Sequence, residues 1–371
     1  MKRLPVHLFS YVVAAVLLAL LLAPAVAQAQ AAPWTVVPSP SPGSENELNG
    51  VANVSANDVW AVGDTDQQTL TEHWNGTAWS VVASPNASSN DALLGVAAVS
   101  TNDVWAVGKV NTATPPLIEH WNGTSWRLVK APKQVGFLNG VTAVSAMDVW
   151  AVGDFVSSGV DQTLIEHWNG HKWSVVSSPN VVSQNNFLNG VTAVSATDIW
   201  AVGFAETSFS EQTLTLHWDG TSWSVVSSPN VAGSASDTLQ AAAAVSSNDV
   251  WAVGQFISGS SVQTLIEQWN GTSWSIVSSP GSGELRGIAS VSATDIWAVG
   301  NFININNGTD QTVIEQWDGS SWSVVPSPNP SASQNILSAA AADPSSGQAW
   351  AVGNFFSSTS NGLQTLTEFN P

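Results

Sequence analysis

One six-residue phrase recurs seven times along this chain and limits what it can fold into. It reads Asp-Val-Trp-Ala-Val-Gly at 58–63, 103–108, 148–153 and 249–254, and Asp-Ile-Trp-Ala-Val-Gly at 198–203 and 295–300. The last copy, 348–353, opens with Gln-Ala instead. The central tryptophans, from Trp60 to Trp350, lie 45 to 53 residues apart. A repeat of that length points to a propeller or a solenoid, because a single unit cannot bury its apolar face without a neighbour.

A second phrase follows the first, as at 73–82: His-Trp-Asn-Gly-Thr-Ala-Trp-Ser-Val-Val. An Asn-Gly or Asp-Gly pair between two β-rich runs is the strongest short hairpin signal, since both residues tolerate positive φ. Upstream of the first phrase lies an apolar, small-residue segment, 48–55 in the first copy. Each repeat therefore reads as four strands, A to D: A is the small-residue segment, B carries the Trp phrase, and C and D flank the Asn-Gly turn. No stretch after residue 30 shows helical periodicity. Four short strands per repeat is the anatomy of a propeller blade. The seventh repeat stops after strand C, whereas residues 34–38 (Trp-Thr-Val-Val-Pro) match a D strand such as 322–326 (Trp-Ser-Val-Val-Pro). The expectation is a seven-bladed, all-β propeller of four-stranded antiparallel blades, closed by residues 34–38, which complete the last blade. Closure removes the unpaired edges that end blades would otherwise offer to other chains.

The start of the chain reads as a leader. Lys2 and Arg3 precede an apolar run from Leu8 to Leu22, and Ala25-Val26-Ala27 or Ala27-Gln28-Ala29 offers a cleavage site. That is the pattern of a secretory signal peptide over 1–29, followed by one domain over 33–371. The run falls short of the ~20 residues of a spanning helix, so an uncleaved anchor is the competing reading and no membrane insertion follows cleavage. An exported chain with 0 cysteines has no disulfides and must hold by packing. Nineteen of the 20 tryptophans fall in the repeat phrases, and the remaining one is Trp34. Buried Trp contributes roughly 4–6 kcal/mol of gross burial each, before entropy is subtracted. Without Lys2 and Arg3 the formal charge moves from −19 to −21. So acidic a surface repels phosphate backbones and anionic lipids, which argues against nucleic acid as a partner.

These motifs resemble those of the exported, Trp-rich bacterial β-propellers near the kelch and galactose-oxidase group, over essentially all of the chain after the leader. Two departures stand out. The Gly-Gly doublet of kelch repeats is absent, and the Trp-Asp of WD repeats is mimicked only at Trp218-Asp219 and Trp317-Asp318. The resemblance implies architecture and carries over no functional residue. The only tyrosine is Tyr11, within the leader, so neither a Cys–Tyr cofactor nor a sialidase-like Tyr nucleophile can be built. No phosphate loop, zinc signature or nucleophile elbow is present, and no cofactor is expected.

Function is therefore sought on the loops. The A–B and C–D connections are short and uniform, whereas the B–C and D–A connections are long and differ in every repeat. Strand alternation puts both long sets on one face, and variable loops on a rigid frame are where binding resides. They are rich in Ser, Asn and Thr, with Phe155, Phe204, Phe209, Phe256, Phe302 and Phe355 among them. Amides and hydroxyls beside aromatics suit a neutral carbohydrate or a protein; the competing reading has each Phe plug its own blade. One residue after each leading Leu of strand A come Asn49, Leu94, Asn139, Asn189, Gln240, Arg286 and Ser338, a polar collar at the channel mouth. Glu47 and Glu284 project to the same side, and two carboxylates across a funnel are what a glycosidase uses. His73, His120, His167 and His217 share one slot that Gln268 and Gln316 fill elsewhere, so hydrogen bonding suffices and metal is not required. The neighbouring glutamates (Glu72, Glu119, Glu166, Glu267, Glu315, Glu368) read as paired structural carboxylates, with Leu216 as the exception. Glu45, Asp64 and Asp66 suggest calcium only weakly, since no Asp-x-Asp-x-Asp-Gly loop is present. The sequons at Asn75, Asn122 and Asn270 coincide with the hairpin turns, and turn chemistry explains them. The leading expectation is an exported, monomeric, non-catalytic binding or adhesion module for glycan or protein ligands. The alternative is a carbohydrate-active hydrolase using Glu47 and Glu284.

Overall fold

The computed structural model describes residues 34–110, 114–181, 184–304 and 308–371; the leader expected at 1–29 lies outside them. Every regular element among the described residues is a β-strand. In the first repeat A is Asn46–Ser55, B Asp58–Thr65, C Gln68–Trp74 and D Trp79–Val81, paired antiparallel in that order. Residues 91–128, 137–176 and 284–325 repeat the arrangement as separate four-stranded sheets. Residues 186–226 and 236–276 do the same, but one parallel pair, Glu211 with Ser236, merges them into an eight-stranded sheet. The sixth sheet contains Asn335–Ala342, Ala349–Ser357 and Gly362–Asn370, with Thr35–Val36 as its outer strand. Thr35 faces Phe369 and Val36 faces Glu368, so residues 35–36 pair with strand C of the seventh repeat, as the sequence leads one to expect.

The six-residue phrase is explained by its neighbours. Its Val-Trp-Ala-Val core is buried in every copy that keeps it, 59–62 in the first, because strand B is covered on both faces. Its Gly allows close approach: a side chain on Gly63 would run into the backbone carbonyl of Glu47. Its Asp has a partner that spacing alone does not reveal. His73, His120, His167 and His217 place Nε2 2.8 Å from Asp58, Asp103, Asp148 and Asp198. Gln268 and Gln316 donate to Asp249 and Asp295 at 2.9 and 3.0 Å. In the seventh repeat both partners change together, to Gln348 and Phe369. The C–D turns are closed by their Asn or Asp: Asn75 Oδ1 accepts from Thr77 N at 2.9 Å and Ala78 N at 3.0 Å, Asp219 and Asp318 accept likewise, and Gly76 has φ 87°.

Tryptophans weld one sheet to the next. Trp60 of strand B meets Trp121 and Trp126 of the second repeat at centroid distances of 4.8 and 5.3 Å. The same trio forms from Trp105, Trp150, Trp200 and Trp251 onward. Trp350 of the last repeat packs on Trp74 and Trp79 of the first at 5.0 and 5.2 Å, and Trp34 packs edge-on against Trp297 at 5.2 Å.

One expectation fails in the core. Glu72, Glu119, Glu166 and Glu267 are fully buried, and neither carboxyl oxygen has a hydrogen-bond partner among the described residues. Only Glu315 and Glu368 are bonded as expected, to Ser279 and Ser327 of the preceding repeat. Burial pushes Glu72, Glu119, Glu166, Glu267 and Glu368 up to about 8. They are therefore mostly protonated at neutral pH, which removes the cost of an unpaired buried charge.

Candidate functional site

The collar exists, and a bulge creates it. In every sheet the A–B register slips by one residue just after the leading Leu, for example between Leu48 and Gly50. The skipped residues are Asn49, Leu94, Asn139, Asn189, Gln240, Arg286 and Ser338, and all seven line one central cavity of about 160 Å³. Bulges commonly re-aim side chains in this way. The asparagines also tie each sheet to the next: Nδ2 of Asn49, Asn139 and Asn189 donates to the carbonyls of Leu93, Leu188 and Leu239 at 3.1, 2.9 and 2.9 Å. Arg286 pairs with Glu284 at 2.8 Å, and Gln240 donates to the same carboxylate at 3.0 Å.

Glu47 has a second set of neighbours, although the charge of Arg286 also reaches it. It lines a cleft with Glu45, Asp64, Asp66, Gln67 and Leu363, and Glu284 is not part of that lining. Burial, then the charge of Asp64, raises its pKa. Two of the four carboxylates are held by local amides: Asp66 accepts from Ser44 N and Glu45 N, and Glu45 accepts from Leu363 N. The Ser44 hydroxyl, which donates to Asp66 at 2.6 Å, and then the Glu45 and Ser44 amides hold the exposed Asp66 below the usual carboxylate range.

The third repeat presents the opposite chemistry at the same register. Val110, Thr114, Val135, Gly136, Phe137, Asp154, Phe155 and Val156 line an apolar pocket of about 240 Å³. Asp154 is its one carboxyl, 8% exposed and pushed up to about 6 by burial; the Asn139 bond lowers it and Asp161 raises it. Asn139 reaches Asp154 Oδ1 at 3.3 Å, so the pocket adjoins the collar. Of the loop phenylalanines expected to bind, Phe155 lines this pocket. Phe204 stacks on Phe187 at 4.8 Å, and Phe256 and Phe302 pack against core clusters. Phe155, Phe204, Phe256, Phe302 and Phe355 are all half-buried, whereas Phe209 is 96% exposed at a hairpin tip. Sequence reasoning missed Phe137 and Val156. The available signal was the residue before each leading Leu of strand A, which is Glu47 in one repeat and Phe137 in another.

No family model and no curated protein matches this chain. Among solved structures it is similar to YCF48 from Cyanidioschyzon merolae, with a TM-score of 0.60 at 18% identity, covering 92% of this chain and 99% of that one. It is similar also to a YCF48 bound to D1 peptide, with a TM-score of 0.58 at 15% identity, covering 91% and 97%. At such identities the likeness shows the fold alone. Repeated four-stranded antiparallel sheets and these neighbours define a β-propeller.

Proposed function

We propose that this chain is an exported, single-domain, closed seven-bladed propeller that binds a protein segment on its B–C and D–A loop face, without catalysis. One observation carries the binding reading. Equivalent positions on a common frame hold Glu45, Glu47 and Asp66 in one repeat and Val135, Phe137 and Val156 in another. Packing alone does not require such divergence, and recognition uses it. The wrap-around contacts of Trp350 with Trp74 and of Trp34 with Trp297 support closure, with the merged sheet counted as two blades. The neighbour solved with a bound peptide supports a protein ligand over a glycan. The salt bridge that ties Glu284 to Arg286, with Gln240 on the same carboxylate, weighs against the hydrolase alternative.

The test is parallel binding to peptide and glycan arrays, by the full chain and by a variant whose B–C hairpins are shortened to the length of the first. The reading expects peptide signals that the shortened variant loses while its melting temperature holds. Glycan signals without peptide signals would defeat it.

A further inference from the structure

The pocket of the third repeat specifies its occupant more narrowly. Its walls are two phenylalanines and three valines, and its volume is about 240 Å³. Apolar cavities of ~150 Å³ already accept a benzene ring. The apolar surface continues onto the rim, where Val135 is 44% and Val156 64% exposed. A small ligand filling the pocket would leave that rim wet, whereas a polypeptide would cover it. The charge of the chain is predominantly acidic, although Lys109 and Lys133 stand next to pocket residues Val110 and Val135 in sequence. Asp154 stands in the wall, Glu45, Glu47, Asp64 and Asp66 gather in the equivalent cleft of the first repeat, and the whole chain carries 27 acidic against 8 basic residues. Such a field steers cationic partners toward the face and rejects anionic ones.

We infer that this pocket receives one large apolar side chain, of leucine or phenylalanine size, from a positively charged segment of another protein. The inference deepens the protein-binding reading and rests on it. The apolar side chain supplies the anchor, and flanking Lys or Arg meets Asp154 and the acidic cleft. Gly136 is part of the design, since a side chain there would strike the Asp154 carbonyl and the Phe155 Cβ.

The experiment selects a random twelve-residue peptide library on the immobilised full chain. Affinities of the enriched peptides are then measured by fluorescence anisotropy at low and high salt, for the parent chain, Val156→Asp and Met147→Asp. Met147 lies in an A–B turn, away from the pocket, and is 61% exposed. The expected result is enrichment of Phe or Leu flanked by Lys or Arg. Affinity should fall at least tenfold on Val156→Asp, stay unchanged on Met147→Asp and weaken with salt. Both variants change exposed residues, and unchanged melting temperatures would verify their folding. Enriched peptides that lack basic residues, or that ignore Val156→Asp, overturn the pocket assignment and leave peptide binding standing. No enrichment at all overturns both. A concentration-dependent dimer in sedimentation, abolished by Val156→Asp, gives the pocket to a second copy of this chain and overturns the proposal as stated.

Discussion

In the first repeat Asp64 stands among Glu45, Glu47 and Asp66; in the third, Asp154 takes the same register with Val135, Phe137 and Val156 around it. Both aspartates face strand A across the sheet, and both accept a long hydrogen bond from a collar asparagine, at 3.4 Å from Asn49 and 3.3 Å from Asn139. The hairpins then diverge. The first turns at once through Asp66 and Gln67, with φ of 48° and 67°, whereas the third runs on to Ser157 before reversing at Ser158 and Gly159. The lesson is that the frame on strand B ends at the Gly of the Trp phrase, and the positions after it, which read Asp64, Lys109, Asp154, Phe204, Gln255, Asn301 and Asn354, are free to take on different chemistry.

The largest effect should come from deleting residues 33–38. Trp34 is 3% exposed, and its burial is worth roughly 4–6 kcal/mol gross. The melting temperature should fall by several degrees or the chain should oligomerise, and amide exchange should quicken in the first and last repeats before the third. An unchanged monomer would remove the special standing of the first repeat. Next comes pH. Glu72 and Glu166 are protonated in the fold at about 8 and ionise near the ordinary 4.5 once unfolded. The folded state thus holds more protons between those values. Their contribution to stability should be greatest below pH 4.5 and decline up to pH 8, by as much as about 1.4 kcal/mol per unit for each group. Leu216 shows that an aliphatic side chain is accepted in this slot. Glu72→Leu and Glu166→Leu should each flatten the decline equally, measured as melting temperature from pH 5 to 8; unequal flattening would mean that the two frames differ after all.

Phe137→Glu gives the third repeat the character of the first. It should drive the Asp154 titration, read by NMR, above about 6, since a second carboxylate joins the burial already acting there. A midpoint that stays put would show that position 137 does not share the pocket's field. The smallest effect belongs to Asp154→Asn, which should weaken a basic peptide a few-fold, about 1 kcal/mol. In the parent chain that peptide should bind more tightly as pH rises from 5 to 7 and Asp154 ionises, whereas Asp64→Asn should leave this pH dependence in place.

The frame was readable because its residues repeat: seven Trp phrases, the Asn-Gly turns and a stray D strand at 34–38 each have one physical use. The collar was readable too, since the residue after each leading Leu takes the same place in every repeat, although the bulge that aims it was not. The unpaired glutamates escaped because a sequence shows a carboxylate's neighbours along the strand and not the apolar sheet packed across it. The pocket escaped for a related reason: Val110 ends strand B of the second repeat and meets Phe137 and Phe155, on adjacent strands of the third, only once the two repeats are stacked.

The pairing of Thr35 with Phe369 joins positions 334 apart, while other strand pairs join near neighbours in sequence. Bringing such distant points together costs about 5 kcal/mol in chain entropy. Because Trp34 and Asn370 end side by side on adjacent strands, a linker of three or four residues from Pro371 to Trp34 would recreate the hairpin that the other repeats already possess. The breakpoint could then be moved to any other such hairpin, making the molecule a natural host for circular permutation.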